Sequence, residues 1–201
     1  GAIERVQIRG DKVLLHTIGN QPPVGICGSG ILDAVAEMLG AGIVDRRGAL
    51  DRGHPGVVVH NRLARFRLAP PDQTGSGQEI VVTREDVHQI QLAKAAIRAG
   101  VNILLREAGI SAADLDAFLI AGAFGTYIDV ANAVKIGMFP ALPLEKFQQV
   151  GNAAGSGARQ LLLARQKRRD AQTLAAREQY IELTTDAQFT NVFMEAIFFG
   201  E

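Results

Sequence analysis

The run Ala117-Phe118-Leu119-Ile120-Ala121-Gly122-Ala123-Phe124-Gly125 decides how this chain is read. Five apolar residues running into a glycine describe a buried strand that stops where backbone can be approached closely. Asp129 follows as the cap of a short helix through Ile136, stopped by Gly137. The pattern then repeats, with a strand over 146–150, a turn at Gly151-Asn152 and a helix from Ala153. Strand, glycine turn and helix twice in succession predict an α/β domain with neighbouring parallel strands. The expected architecture is a mixed sheet with helices packed on it.

Upstream, 84–108 is the longest helical pattern. Thr83 with Asp86 three residues on makes a cap, and Gly109 supplies a left-handed stop. Its apolar positions are Val87, Ile90, Ile97, Val101, Leu104 and Ala108, and the gap in that stripe falls on Lys94. Two readings are open: Ala93 covers the seam while Lys94 snorkels outward, or the stripe opens onto a cleft and Lys94 points into it. Before this helix, 41–78 reads as an excursion on the surface, with strands near 57–59 and 63–68 and a loose tip over 70–77. Earlier still, two strands over 3–8 and 12–18 flank Gly10-Asp11, which suits a hairpin. Gly25-Ile26-Cys27-Gly28-Ser29-Gly30 then leads into a helix whose N-cap is expected at Ser29. A helix over 170–179, a strand over 180–183 and a docking helix carrying Phe189, Phe193 and Ile197 close the chain.

Composition bounds the function. The 201 residues are 47% hydrophobic and 21% charged, enough for one domain with a real core. The 21 basic residues balance the 21 acidic ones, which argues against a nucleic-acid or membrane partner. No apolar run reaches the roughly 18 residues of a membrane helix. A single cysteine, Cys27, excludes an internal disulfide framework or a four-thiolate cluster and suits a reducing, cytoplasmic setting. His16, His54, His60 and His88 lack ligand spacing, so no metal site is expected. The 22 glycines fall in bunches at entries to helices, where an anionic or nucleotide ligand is the natural guess. Neither the dinucleotide fingerprint nor a phosphate loop occurs. The opening Gly1-Ala2-Ile3 is read as the start of a fragment of a longer protein.

Four motifs carry a resemblance: Pro23 to Glu37 around Gly28-Ser29-Gly30, Gln89 to Ile97, Leu119 to Gly125 with Asn132-Ala133 and Ile136-Gly137, and Val150 to Ala154. In this order they resemble the reductive activators of corrinoid proteins, over nearly the whole chain. That family is part of the acetate-and-sugar-kinase, heat-shock-chaperone and actin superfamily. The resemblance implies an actin-like ATPase lobe of α/β class that forms one side of an ATP cleft. It assigns Gly122, Ala123, Phe124 and Gly125 to the adenosine motif, with Ala123 where the family usually has glycine. Gln91 and Lys94 are implied to border adenine, and Gly28, Ser29 and Gly30 to lie beside ribose and phosphates. No residue is assigned a catalytic role.

The resemblance also implies what this sequence does not carry. The family's two Asp-Ile-Gly-Thr-type loops, which hold magnesium and the terminal phosphates, have no counterpart here. Its N-terminal domain with a 2Fe-2S cluster has none either. The implied function is the nucleotide-binding C-terminal lobe of an ATP-dependent activator that returns an inactive corrinoid protein to its Co(I) state, with the isolated lobe inactive. The alternative is a non-catalytic module that docks a corrinoid (iron-sulfur) protein or forms a homodimer.

Overall fold

The computed structural model describes residues 1–200, the Thr184 side chain apart. Strands β1 (Ala2–Arg9) and β2 (Lys12–Thr17) form an antiparallel hairpin turned at Gly10, whose φ of 57° suits glycine. The short β3 (Gly25–Ile26) adds to β1 in parallel, so this sheet is mixed, in the order β2-β1-β3. Helix α1 (Gly28–Gly40) lies on β1 and buries Leu32, Val35 and Met38. Its N-cap is Cys27, not Ser29. Ser29 already sits inside the first turn, where its buried hydroxyl donates to Glu4 O at 3.2 Å.

The segment after α1 is built into the core. Strands β4 (Val57–His60), β5 (Leu63–Ala69) and β6 (Ile80–Thr83) form an antiparallel sheet in that order. Phe66, Leu68 and Val82 face inward and join Ile43 and Val44 in the same cluster as the α1 residues. The surface position expected for 41–78 therefore describes its tip, around the turn Pro71–Gln73, and not its strands.

Helix α2 (Arg84–Ala108) has the expected ends: a Thr83–Asp86 capping box and Gly109 at φ 66°. Its rotation differs from the expected stripe. The buried positions are Val87, Gln91, Lys94, Ala95, Ala99 and Ile103, whereas Ile97 and Leu104 are 44% and 57% exposed. The small residues Ala95 and Ala99 thus take buried positions, and the larger Ile97 and Leu104 do not. Helix α2 packs on the late helix α6 (Phe189–Glu195) as well as on β5 and β6.

Strand β7 (Phe118–Ala121) pairs in parallel with β8 (Phe147–Gly151), as the alternation predicted. Between them, α3 (Val130–Lys135) starts at an Asp129 cap that accepts from Asn132 N and ends before Gly137 at φ 77°. Helix α4 (Ala153–Leu163) starts at the Asn152 cap, and Ala164 in extended conformation separates it from α5 (Arg165–Ala175). The helix expected over 170–179 is thus displaced upstream, where Gln166 and Lys167 both reach Asp170. The strand expected over 180–183 is not formed; among the described residues no sheet edge pairs with it, and Leu183–Thr185 makes a turn instead.

The rotation of α2 separates two substitutions that sequence alone would rank together. Ile103→Ala is expected to cost about 2–5 kcal/mol, the range for a buried large-to-small change. Leu104→Ala is expected to cost no more than about 0.5 kcal/mol, as exposed replacements do. Urea unfolding of the two variants checks this, and equal losses would place the buried face elsewhere.

Candidate functional site

The two glycine motifs meet. A carbon built at the Cβ position of Gly28 would lie 2.6 Å from Cε2 of Phe124, so the phenyl ring rests directly on the start of α1. The chain approaches as closely behind this point. A Cβ at Gly30 would lie 2.1 Å from Ile3 O, and one at Gly125 would lie 2.7 Å from Cγ2 of Ile120. Gly122 ends β7 at φ 105°, donates its N–H to Gly151 O at 2.8 Å, and has open space where a side chain would be. Ala123 beside it takes ordinary helical angles and is exposed, as is Phe124. The result is a wall of bare backbone at the carboxyl end of a parallel strand pair, where α/β folds take ligands.

Side chains not foreseen from the sequence hold this wall. Gln149 of β8 donates Nε2 to Gly125 O at 2.7 Å and to Ile128 O at 2.9 Å, pinning the turn after Gly122. Asp33 of α1 accepts from Asn132 of α3 at 3.0 Å and from Arg5 of β1 at 3.4 Å. Burial raises the Asp33 carboxyl above its usual range, against the opposing pull of Asn132 and Arg5. Glu37, a turn on, accepts from Ile8 N at 2.8 Å. The sequence signals were the glutamine pair of β8 and two acids on an otherwise apolar helix.

The start of α1 favours negative charge. No side chain caps it, and the helix dipole places positive potential there. Cys27 stands at that start. Partial burial would raise its thiol, but a hydrogen bond with the Ser29 side chain and others from the backbone of Gly30 and Ser29 bring it below its ordinary value.

Gln91 and Lys94 lie elsewhere. Gln91 Nε2 donates to Ile197 O at 3.3 Å, and Lys94 Nζ donates to Phe198 O. Arg46 Nε continues the series with Phe199 O at 2.9 Å, and Phe199 N returns a bond to Arg46 O at 2.9 Å. Three successive carbonyls of the C-terminal segment are therefore held by three side chains, and the Phe199 ring is fully buried under Lys94 Nζ, 5.7 Å from its centroid. Lys94 is 1% exposed, so it does not snorkel to the surface; it lines a cavity against the C-terminal segment, and among the described lining residues none belongs to Gly28–Gly30 or Gly122–Gly125. Burial, with Arg98 and Arg46 adding repulsion, pushes its ammonium down to about 8. Among the described residues no three His, Cys, Asp or Glu side chains are grouped to hold a metal ion, and no helix is long and apolar enough to cross a membrane.

Comparison with known proteins gives a consistent result. Residues 1–201 match the family model described as the C-terminal domain of RACo, the ASKHA domain. The corrinoid activation enzyme RamQ of Eubacterium limosum is 37% identical over 211 aligned residues, covering 100% of this chain and 35% of that protein. The [Co(II) methylated amine-specific corrinoid protein] reductase of Methanosarcina barkeri is 28% identical over 173, covering 85% of this chain and 28% of that one. The solved structure of a reductive activator for corrinoid,iron-sulfur protein superposes with a TM-score of 0.89 at 38% identity, covering 99% of this chain and 32% of that chain. The chain thus spans about a third of the length of the relatives it matches.

Lys94 makes stability depend on pH in a definite direction. Its folded value, about 8, lies below the ordinary 10.5, so between them the unfolded chain binds more protons and stability rises with pH. Below pH 8 the cost of burying the charge is fully present. Urea unfolding from pH 7 to 10 should show a gain of about 1–3 kcal/mol over Lys94→Met. Parallel curves for the two proteins would mean that the ammonium is solvated.

Proposed function

The chain belongs to the family of RACo C-terminal, ASKHA domains, and on that premise we propose that it is the nucleotide-binding lobe of an ATP-dependent reductive activator, returning an inactive corrinoid protein to its Co(I) state. One observation carries the reading: the open backbone at Gly122 stands with Phe124 against Gly28, at the start of an uncapped helix. In this account Gly122-Ala123-Phe124-Gly125 receives the base and ribose, where a side chain would intrude. Gly28-Ser29-Gly30 supplies the positive end of α1 to the phosphates. Gln91 and Lys94 are engaged with the C-terminal segment.

ATP turnover requires positioning and charge neutralisation of the transferred phosphoryl group. The glycine wall offers positioning. Magnesium and the terminal phosphates would be held mainly by loops this chain does not contain, so the lobe alone binds without hydrolysing. The reducing electron would come from a 2Fe-2S cluster outside this chain, whose one cysteine cannot build such a site. The partner is a corrinoid protein, by likeness to relatives named for acting on one.

A second reading, docking of a corrinoid protein or of a second copy of this chain, is favoured by one feature. Leu162 and Leu163 are 81% and 80% exposed, next to the basic run Arg165, Lys167, Arg168 and Arg169.

The nucleotide reading is tested at Ala123, because valine or alanine at Gly122 would be strained by its φ of 105° and would confuse folding with binding. Ala123→Asp in the full-length protein should keep the melting temperature and weaken ATP by about 1–2 kcal/mol, one Coulombic repulsion near a protein surface. Calorimetry giving wild-type affinity would remove Gly122 to Gly125 from the site.

A further inference from the structure

We propose that the cavity beside the turn between β4 and β5 is a binding site for a small organic carboxylate. The ligand's apolar body would rest on Leu50 and Leu63, with its charged oxygens among the guanidinium groups of Arg52, Arg62, Arg65 and Arg84. The cavity holds about 630 Å³ and lies between that turn, the 49–52 segment and the junction of β6 with α2 at Thr83 and Arg84. This is the size of a small-molecule pocket, with apolar walls and a few polar groups to orient what enters. None of its lining residues belongs to Gly28–Gly30 or Gly122–Gly125, so the inference stands apart from the nucleotide reading.

Two anomalies converge on this cavity. Arg65 Nε is shielded from solvent without a hydrogen-bond partner, while Nη2 of the same guanidinium meets Glu79 Oε1 at 2.5 Å. A buried donor left unbonded is costly, and on a cavity wall it suits an acceptor carried by a ligand. The second anomaly is the turn itself: Asn61 and Arg62, between His60 and Leu63, have φ of 49° and 66°. Left-handed backbone at both positions favours Asn followed by Gly, so arginine is strained in the second. Arginine there sets a guanidinium on the cavity rim, where glycine would set none. Arg52 Nη2 donates to Arg62 O at 3.3 Å and ties the two segments together. Among the described residues no carboxylate forms an ion pair with Arg52, Arg62 or Arg84. The single acid of the lining, Glu85, accepts from Gln89 at 2.8 Å. Guanidinium forks match the two oxygens of a carboxylate, and the buried Leu50 with the exposed Leu63 offers apolar surface to the rest of the molecule.

Calorimetric titration of the intact protein with naphthoate, and with uncharged naphthamide as the control, tests the site. The ring system supplies the apolar body and the carboxylate supplies the charge. Naphthoate should bind in a single saturable step, about tenfold tighter than naphthamide or more. Arg84→Gln and Arg62→Gly should each weaken naphthoate by about tenfold. Both residues are exposed, and glycine relieves the turn, so Tm without naphthoate should hold for the first variant and hold or rise for the second. Weakened binding in both variants at that Tm identifies the site. No binding by wild type up to millimolar naphthoate, naphthamide bound as tightly, or wild-type affinity in either variant overturns the proposal.

Discussion

The contact of α1 with β1 at Gly30 is the constraint from which the rest of the arrangement follows. Only a residue without a side chain lets the helix rest on the Ile3 carbonyl, because an added carbon would stand 2.1 Å from that oxygen. With the helix fixed there, Gly28 comes under Phe124, Asp33 reaches Asn132 and Arg5, and Glu37 takes the Ile8 amide. One helix thereby ties the N-terminal hairpin to the elements around β7 and β8. It also places its own positive end next to the open backbone that follows Ala121.

The C-terminal segment provides the second tie. Phe199 fills the core, and the carbonyls of Ile197, Phe198 and Phe199 are held by Gln91, Lys94 and Arg46. A buried lysine ammonium works against stability, while the Phe199 ring and the hydrogen bonds around it work in favour. Helix α2 turns Gln91 and Lys94 inward to that segment and leaves Ile97 and Leu104 outside.

The parts legible in the sequence are those fixed by local chemistry. The hairpin at Gly10, the Thr83–Asp86 cap, the Gly109 and Gly137 stops, and the parallel pair β7–β8 all come from signals within a few residues. The rotation of α2 was not legible, since it depends on a segment about a hundred residues later meeting Lys94. Nor was the inward face of β5, whose buried Phe66 packs on His54 and Gly56 from the loop before β4. At the site, the glycine motifs were legible as motifs, but their contact and the bracing by Gln149 were not. Lys94 stood out as an anomaly in its stripe, and it is one, though among the described residues its partners are one backbone carbonyl and the Phe199 ring.

The central claim is that nucleotide meets the glycine wall and not the face of α2 that holds the C-terminal segment. Hydrogen exchange of the full-length protein with and without ATP tests it most directly. The account predicts slower exchange at Gly28 to Gly30 and at Gly122 to Gly125, with 91–94 and 197–200 unchanged. Slowing confined to 91–94 and 197–200, with both glycine motifs unaffected, would contradict it.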